Sequence, residues 1–314
     1  MTDRPSGGER TRTVFLGSGS FGVPTLRALA LHPGIDLVGV VTAPVRPVGR
    51  RAVLTPTPIG EVAASLGLST LTPERLRAPD SIAAVLALEP ALAVLADYGQ
   101  IVPPPLLGLP HGALNLHPSA LPRWRGASPI PAAILAGDAA TAVTLMRMDA
   151  GLDTGPIVAQ VPVPLEGDET APMLEAKLAE IAAALLSRTL DAWLRGEIEP
   201  ASQAADGITL TRPLRREDGR LDAARPAADL ERMVRAYAPW PGTFLEVDGE
   251  RVAVTKASVA PSMPDDVPGT IVREGDRPAL ATPDGRLVLE RVTPAGRRPM
   301  TGADWLRGRR TPSA

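Results

Sequence analysis

The sequence predicts an α/β fold: a Rossmann-like, doubly wound and mostly parallel sheet, followed by a small C-terminal OB-like β-barrel domain. Residues 13–17 (TVFLG) and 35–42 (IDLVGVVT) are continuous apolar runs separated by a turn and a helical stretch. This order is typical of parallel strands joined by crossover helices. In the last third of the chain, short apolar runs flank the Asp-Gly pairs at Asp248 and Asp284. Asp-Gly between such runs indicates β-hairpins, which favours a separate all-β domain.

Helical and strand patterns alternate through the first two thirds of the chain. Helices are predicted at residues 25–31, 57–66, 81–88, 128–136 and 171–194. Further strands are predicted at residues 92–96, 113–116, 141–148 and 157–164. In the last third, a helix is predicted at residues 226–237, and hairpins at 243–247 with 251–255 and at 279–282 with 287–292.

Changes in composition divide the chain into four segments. Residues 1–12 are polar and are predicted to form a disordered tail, and residues 13–196 carry the α/β pattern of the first domain. Gly, Pro, Ser and Gln interrupt the pattern at residues 197–207, which favours a linker. Residues 208–314 then form the predicted second domain.

Composition excludes several classes of function. The chain of 314 residues has no cysteine, which excludes disulfides, thiolate nucleophiles and cysteine-ligated zinc. No apolar run reaches membrane-spanning length and the N-terminus lacks an apolar signal region, so we expect a cytoplasmic protein without membrane contact. The formal net charge of −2 shows that any contact with nucleic acid must come from local basic patches.

A glycine-rich turn follows the first strand. Gly17, Gly19 and Gly22 match G-x-G-x-x-G between a strand and a helix, the context of a dinucleotide-binding site. Such a site also needs an acidic residue at the end of the second strand, but that strand ends at Thr42, and Asp36 lies at its other end. The pattern therefore disfavours a nicotinamide enzyme. Two interpretations stay open: the glycines line a ligand site, or they only permit a tight turn.

Three polar residues follow strand ends in a pattern suited to acyl transfer. Asn115 and His117 are two residues apart at the end of an apolar strand, so their side chains point the same way. Asp153 lies in the glycine-flanked loop GLDTG. An asparagine can donate to a developing oxyanion, a histidine can act as acid or base, and an aspartate can orient or charge the histidine. The structural alternative is a histidine that caps a strand and an aspartate that forms a turn.

Other catalytic classes lack their motifs. No G-x-S-x-G occurs, and Ser119 is too close to His117 in an extended segment to be the nucleophile of a triad. No H-E-x-x-H or G-x-x-x-x-G-K-[ST] occurs, which argues against a zinc protease and a P-loop NTPase, and no metal site is predicted.

Five segments, in order along the chain and in both domains, carry motifs of one family. They are VFLGSGSFGVPTLRAL (14–29), VVTAPVRPVGRR (40–51), NLHPSALPRWRGASPI (115–130), AGDAATAVTLMRMDAGLDTGPI (136–157) and APWPGTF (238–244). With these segments the chain resembles the folate-dependent formyltransferase family. The combination of Asn-x-His, Ser-x-Leu-Pro and Gly-Leu-Asp-Thr-Gly is specific for formyl transfer from folate, while PRWRG and APWPGT indicate a member that acts on tRNA.

The resemblance implies roles for ten residues in three groups. The implied groups are catalytic Asn115, His117 and Asp153; folate-contacting Ser119, Ala120, Leu121 and Pro122; and tRNA-contacting Arg46, Arg50 and Arg51. The chain departs from the family pattern in two places. It has Ser-Ala-Leu-Pro where Ser-Leu-Leu-Pro is usual, and its RRAVL stretch is less basic than the corresponding loop of many members.

The resemblance also implies the reaction. A formyl group would pass from 10-formyltetrahydrofolate, as co-substrate, to the amino group of methionyl initiator tRNA, giving the formylated initiator for translation. The alternative within the family is a small amino-sugar or nucleotide amine as acceptor, and the alternative outside it is a non-catalytic folate-binding or RNA-binding module. We expect a monomer with no tightly bound cofactor.

Overall fold

The computed structural model of the protein describes residues 10–48 and 52–308, which form two compact units. The first unit contains the described residues up to Pro129, together with Ala140–Pro164 and Glu175–Thr211. The second contains Ile130–Ala139, Leu165–Leu174 and the described residues from Arg212 onward. In the described residues no helix combines the length and apolar character needed to cross a bilayer.

Eleven strands occur in the described part of the first unit. They are β1 (Thr11–Leu16), β2 (Ile35–Val41), β3 (Arg46–Val48), β4 (Val53–Thr55), β5 (Thr70–Leu71), β6 (Leu92–Ala96), β7 (Ala113–His117), β8 (Arg125–Gly126), β9 (Ala140–Arg147), β10 (Ile157–Pro164) and β11 (Leu210–Thr211). Four helices lie between them, and two more are divided between the units. These helices are α1 (Val23–Leu31), α2 (Pro58–Ser65), α3 (Pro79–Leu86), α4 (Pro104–Leu107), α5 (Pro129–Ala136) and α6 (Ala171–Leu194).

The main sheet has the strand order β10-β9-β7-β6-β1-β2-β5. The strands from β7 to β5 are parallel to their neighbours, and β9 and β10 continue the sheet in antiparallel pairing. The mostly parallel, Rossmann-like sheet predicted from the sequence is therefore confirmed. Because β2 and β6 flank β1 on opposite sides, the strand order reverses there. In such sheets ligands bind at the carboxyl ends of the strands beside the reversal.

Continuous apolar sequence explains the central strands. Val14, Phe15 and Leu16 are fully buried, and all five residues of β6 are buried. A strand covered on both faces needs apolar residues on both, which is why the sequence shows no alternation there. At the start of α2, Thr57 accepts a hydrogen bond from the Gly60 N–H, and this cap fixes the helix start.

Two of the predicted domain boundaries differ from those of the structure. The first strand starts at Thr11, whose N–H donates to the Gly34 carbonyl, so Thr11 and Arg12 do not belong to a disordered tail. Leu210–Thr211 pair in parallel with Arg125–Gly126, so these residues belong to the first unit rather than to the second domain. Neither of these two-residue strands has a periodic pattern by which the sequence could indicate it.

The second unit is built on an antiparallel sheet, as predicted. Its elements are α7 (Ala227–Ala236), β12 (Thr243–Val247), β13 (Glu250–Ala260), β14 (Ile271–Glu274), β15 (Arg277–Ala281), β16 (Arg286–Pro294), β17 (Met300–Thr301) and α8 (Gly302–Arg307). The strand order is β12-β13-β16-β15-β14, and β17 pairs with β16. Within the described residues β12 and β14 do not pair with each other, so hydrogen bonds between these two strands do not close the sheet.

Candidate active site

The end of β7 carries two of the predicted catalytic residues. Asn115 pairs with Leu95 of β6 and Met146 of β9, and His117 is the last residue of the strand. The two side chains share one face of β7 because successive side chains of a strand alternate. His117 is only 5% exposed, whereas Asn115 is partly exposed. In the described part of the chain the Asn115 carboxamide has no hydrogen-bond partner, so it is available to a substrate.

The His117 imidazole lies between a carbonyl and a carboxylate. Its Nε2 atom is 2.9 Å from the Trp124 carbonyl oxygen, and its Nδ1 atom is 3.8 Å from Oδ2 of Asp153. The first distance is that of a hydrogen bond and the second is longer, so Nδ1 is the ring nitrogen left for a substrate. The third predicted residue, Asp153, thus reaches the end of β7 from a different loop.

Asp153 is held in a left-handed backbone conformation, with φ of 51°. Its Oδ2 atom accepts a hydrogen bond of 2.7 Å from the Gly126 N–H. Glycine is required at position 155 because a Cβ atom there would lie 1.9 Å from the Arg147 carbonyl oxygen. The GLDTG sequence therefore does more than form a surface turn: it brings a carboxylate to a buried histidine.

The sequence analysis assigned no role at the catalytic site to two polar residues that lie near it. Arg125 is 9% exposed, and its guanidinium donates to Oε1 of Gln203 at 2.7 and 3.1 Å. The Gln203 amide donates in turn to the carbonyl oxygens of Asp153 and Gly155, both at 2.8 Å. Gln203 lies within the segment that its composition assigned to a linker, and a single glutamine there gives no sequence signal.

The predicted folate-contacting segment is largely turned inward. Ser119 is fully buried, and its hydroxyl donates to the Arg123 carbonyl at 2.6 Å, while Leu121 is also buried. Ala120 and Pro122 are partly exposed. A ligand at this segment can therefore reach Ala120, Pro122 and the backbone, but not the Ser119 hydroxyl in this arrangement.

The glycine-rich turn allows close packing instead of forming a phosphate cradle. The N–H groups of Ser18 and Gly19 donate to the Asp97 carbonyl at 2.9 and 3.4 Å, and the Gly17 N–H donates to Val41. A Cβ atom on Gly19 would lie 1.5 Å from Oδ2 of Asp97. Since the turn uses its own N–H groups, the geometry favours the structural interpretation of the glycines.

Asp97 and Tyr98 follow β6 directly, and both have raised pKa values. Desolvation by the surrounding protein raises the pKa of Asp97, and the negative charge of Glu175 raises it further. Burial raises the pKa of Tyr98 to about 12. Within the described residues the Tyr98 hydroxyl is buried without a hydrogen-bond partner. Both groups follow β6, the strand next to β7 in the sheet.

Arg46, one of the three residues predicted to contact RNA, is exposed. Arg46 is in the β3–β4 hairpin and forms an exposed ion pair of 2.7 Å with Glu74. Arg50 and Arg51 lie outside the described residues. In the second unit, the Arg216 guanidinium lies 5.6 Å from the ring centroid of Trp240, which is 52% exposed.

Sequence comparison defines the class of protein. Residues 11–190 match the family model described as formyl transferase, and residues 213–310 match the model of the formyl transferase C-terminal domain. The chain belongs to the formyl transferase family. The resemblance drawn from the motifs is therefore confirmed.

Full-length relatives carry a more specific name than the family model does. Methionyl-tRNA formyltransferase of Roseiflexus sp. (strain RS-1) is 46% identical over 301 residues, covering 95% of this chain and 93% of that protein. The methionyl-tRNA formyltransferase of Chloroflexus aurantiacus (strain ATCC 29366 / DSM 635 / J-10-fl) is 45% identical over 300 residues, covering 95% of this chain and 96% of that protein.

Solved structures share the fold at low identity. An N-formyltransferase from Helicobacter canadensis in complex with folinic acid and dTDP-3-aminofucose has a TM-score of 0.65 at 16% identity, covering 89% of this chain and 98% of that one. HypX from Aquifex aeolicus in complex with tetrahydrofolic acid has a TM-score of 0.60 at 18% identity, covering 95% of this chain and 47% of that one. At these identities the similarity establishes the fold alone.

Proposed function

We propose that the chain transfers the formyl group of 10-formyltetrahydrofolate to the amino group of methionyl initiator tRNA. The observation that carries the proposal is the contact of His117 with Asp153 at the end of β7, with Asn115 on the same strand face. These are the residue types that formyl transfer requires, in a family whose full-length relatives bear the name of this activity. The folate is a co-substrate, and formyl transfer itself calls for no metal.

The reaction needs charge stabilisation and proton movement. The neutral amine attacks the formyl carbon, a carbon–nitrogen bond forms, and the carbonyl oxygen becomes an oxyanion. The tetrahedral intermediate then collapses, the bond to the folate nitrogen breaks, and that nitrogen takes up a proton while the attacking amine loses one. Donors directed at the oxyanion provide the largest single contribution in reactions of this kind.

Each residue has a role that fits its surroundings. The free Asn115 carboxamide donates to the oxyanion, and His117 adds a second donor from Nδ1, the nitrogen not bound to Trp124. Asp153 lies 3.8 Å from Nδ1 and stabilises the protonated ring by its opposite charge. Asp153 also accepts the proton of the amine, through water.

The folate and the RNA would use different parts of the chain. Folate would contact Ala120, Pro122 and the backbone of residues 119–122, which are the accessible parts of the predicted segment. The buried Ser119 and Leu121 would support that segment from inside the protein. We assign catalysis to the first unit and RNA contact to the residues of the second unit from Arg212 onward, together with the basic stretch at Arg46, Arg50 and Arg51. Because the acceptor serves translation, we infer a cytoplasmic enzyme, and we infer a monomer.

An exposed aromatic–cation pair supports RNA contact in the second unit. Trp240 presents half of its surface to solvent, and the exposed Arg216 lies over its ring. Exposed aromatic rings next to arginine suit stacking with bases and attraction to phosphates. Arg297 and Arg298 add exposed positive charge on the same unit.

The proposal is tested by formyl transfer from 10-formyltetrahydrofolate to methionyl initiator tRNA. Uncharged initiator tRNA and free methionine serve as controls in the same assay. We expect formylated product with the charged tRNA alone. If folate binds but no formyl group reaches that tRNA, the acceptor is wrong, and amino-sugar nucleotides are the acceptors to try next.

A further inference from the structure

Two loops hold the catalytic pair in place. The first, residues 123–128, contributes the Trp124 carbonyl that binds His117 Nε2 and the Gly126 N–H that binds the Asp153 carboxylate. The second, residues 149–155, carries Asp153 itself. A shift of either loop would change the distance of 3.8 Å between His117 and Asp153.

Each loop contains a non-glycine residue with a positive φ angle. Trp124 and Asp153 have φ angles of 58° and 51°, in a left-handed region that residues other than glycine rarely occupy. Such conformations persist where contacts from the rest of the protein impose them. The position of the Asp153 carboxylate therefore depends on the contacts that hold these two loops in place.

Residues 201–211, which we call the strap, fasten both. Ala201 forms two backbone hydrogen bonds with Ile157, just after the Asp153 loop. The Gln203 amide binds the carbonyl oxygens of Asp153 and Gly155 at 2.8 Å each. At the far end of the strap, β11 pairs with β8 inside the first loop.

Side chains of the strap also bind the first loop. Thr209 Oγ1 accepts a hydrogen bond of 2.8 Å from the Trp124 N–H, and Thr211 Oγ1 accepts one of 3.0 Å from the Ser128 N–H. Arg125 extends from the first loop to Gln203, so one carboxamide links the strap to both loops. The contact is close, because a Cβ atom on Gly126 would lie 2.3 Å from the Thr211 carbonyl oxygen.

We propose that Gln203 and Arg125 are positioning residues for formyl transfer, and that the strap holds the two catalytic loops in the arrangement that the reaction needs. Gln203 sets the backbone of the Asp153 loop, and Arg125 orients the Gln203 carboxamide by donating two hydrogen bonds to its oxygen. The donors of the amide then face the carbonyl oxygens of Asp153 and Gly155. This inference rests on the proposed function, because its consequence is a slower formyl transfer.

The decisive variant is Gln203→Leu, which keeps a similar volume and removes both donors and the acceptor. We expect kcat to fall about 10- to 100-fold, since a displacement of roughly 1 Å at catalytic groups costs about that factor. The KM values for folate and for tRNA should stay within about threefold, because neither substrate touches Gln203 in this assignment. Glu199→Ala, at an exposed position just before the strap, is the matched control and should leave kcat unchanged.

A second measurement separates positioning from a general loss of folding. In the intact protein the Gly126 N–H is bound to Asp153, and we expect its hydrogen exchange to accelerate at least tenfold in Gln203→Leu while amides of β6 keep their protection. Arg125→Met should reproduce both effects. A normal kcat in a folded Gln203→Leu protein, or a loss of protection throughout the chain, overturns the proposal.

The wild-type protein in the same assays distinguishes a failure of the proposed function from a failure of the strap proposal. If the wild type transfers no formyl group to any amine tested, the proposed function fails. The exchange of the Gly126 N–H still reports whether Gln203 holds the loop. If the wild type is active and Gln203→Leu is equally active, the strap proposal alone fails.

Discussion

The Asp153 carboxylate contacts the His117 imidazole and the Gly126 N–H through the same oxygen, Oδ2, at 3.8 and 2.7 Å. One atom thus has an electrostatic role and an anchoring role. The two roles respond differently to substitution, because an amide can keep a neutral hydrogen bond but cannot keep a charge.

Asp153→Asn should separate these roles. The asparagine oxygen can still accept from Gly126, so the loop should stay in place while the negative charge beside His117 is lost. We expect kcat to fall about 100- to 1000-fold with folate affinity retained, as for the loss of one strong stabilising group. His117→Ala should lose a similar factor. Steady-state kinetics and folate titration measure both quantities, and near-wild-type turnover in either variant would contradict the assignment.

The parts of this site that the sequence predicts are those encoded locally. The separation of two residues between Asn115 and His117, on a short apolar strand, predicts that both side chains share a face at the strand end. The glycines of GLDTG predict a tight loop around Asp153. Burial on both faces makes residues 14–16 of β1 and the whole of β6 continuous apolar runs, which is why the sheet was predictable as well.

The parts that were missed depend on contacts between distant positions. Gln203 is 50 residues from Asp153 along the chain, and it binds a backbone carbonyl, which every residue has. No residue type at position 153 or 155 could have indicated that contact. The strands β8 and β11 have two residues each, too few to show any period. The inward position of Ser119 is likewise a consequence of the fold.

Gly155→Ala should damage stability and catalysis together. The added methyl group would lie 1.9 Å from the Arg147 carbonyl oxygen, and backbone cannot move aside as a side chain can. We expect a loss of about 1–3 kcal/mol in the free energy of unfolding, as for other overpacked positions, with a lower kcat. Gly108→Ala is the control, because its Cβ would meet the nearest atom at 3.7 Å. Equal denaturation midpoints for the two variants would count against this close contact.

Arg46 and Glu74 offer a matched pair for testing the RNA contact. If Arg46 binds a phosphate, Arg46→Ala should raise the KM for tRNA and lower the slope of log affinity against log salt by about 0.7–0.9. Glu74→Ala removes the same exposed ion pair but leaves the arginine, so it should keep or improve RNA affinity. Binding measured across a range of salt concentrations tests both. An equal loss in the two variants would show that the ion pair matters and the phosphate contact does not.

Asp97 should make stability depend on pH. Desolvation, and then Glu175, raise its pKa in the folded protein above the ordinary value of 3.8, so the folded chain binds this proton more tightly than the unfolded chain. Protonated Asp97 therefore contributes to the free energy of unfolding. This contribution is fully present below the pKa of Asp97 in the unfolded chain and is lost as the pH rises through its pKa in the folded chain. Asp97→Asn should therefore raise Tm at pH 7 and lose that gain near pH 4. The effect should be small because Asp97 retains contact with solvent. Asp276→Asn, in the β14–β15 hairpin, is the control; a gain that is independent of pH would refute the titration.

Tyr98→Phe tests the cost of an unsatisfied hydroxyl. In the described part of the chain the Tyr98 hydroxyl is buried with no hydrogen-bond partner, and burial raises its pKa to about 12. A hydroxyl that is removed from water without a new partner costs about 1–3 kcal/mol, which phenylalanine does not incur. We therefore expect Tyr98→Phe to be at least as stable as the wild type in the absence of ligand, with its denaturation midpoint unchanged or higher. A clear loss of stability would mean that the hydroxyl is satisfied in solution. Folate titration of the same variant then shows whether a bound ligand supplies the missing partner, because only in that case does removal of the hydroxyl weaken folate binding.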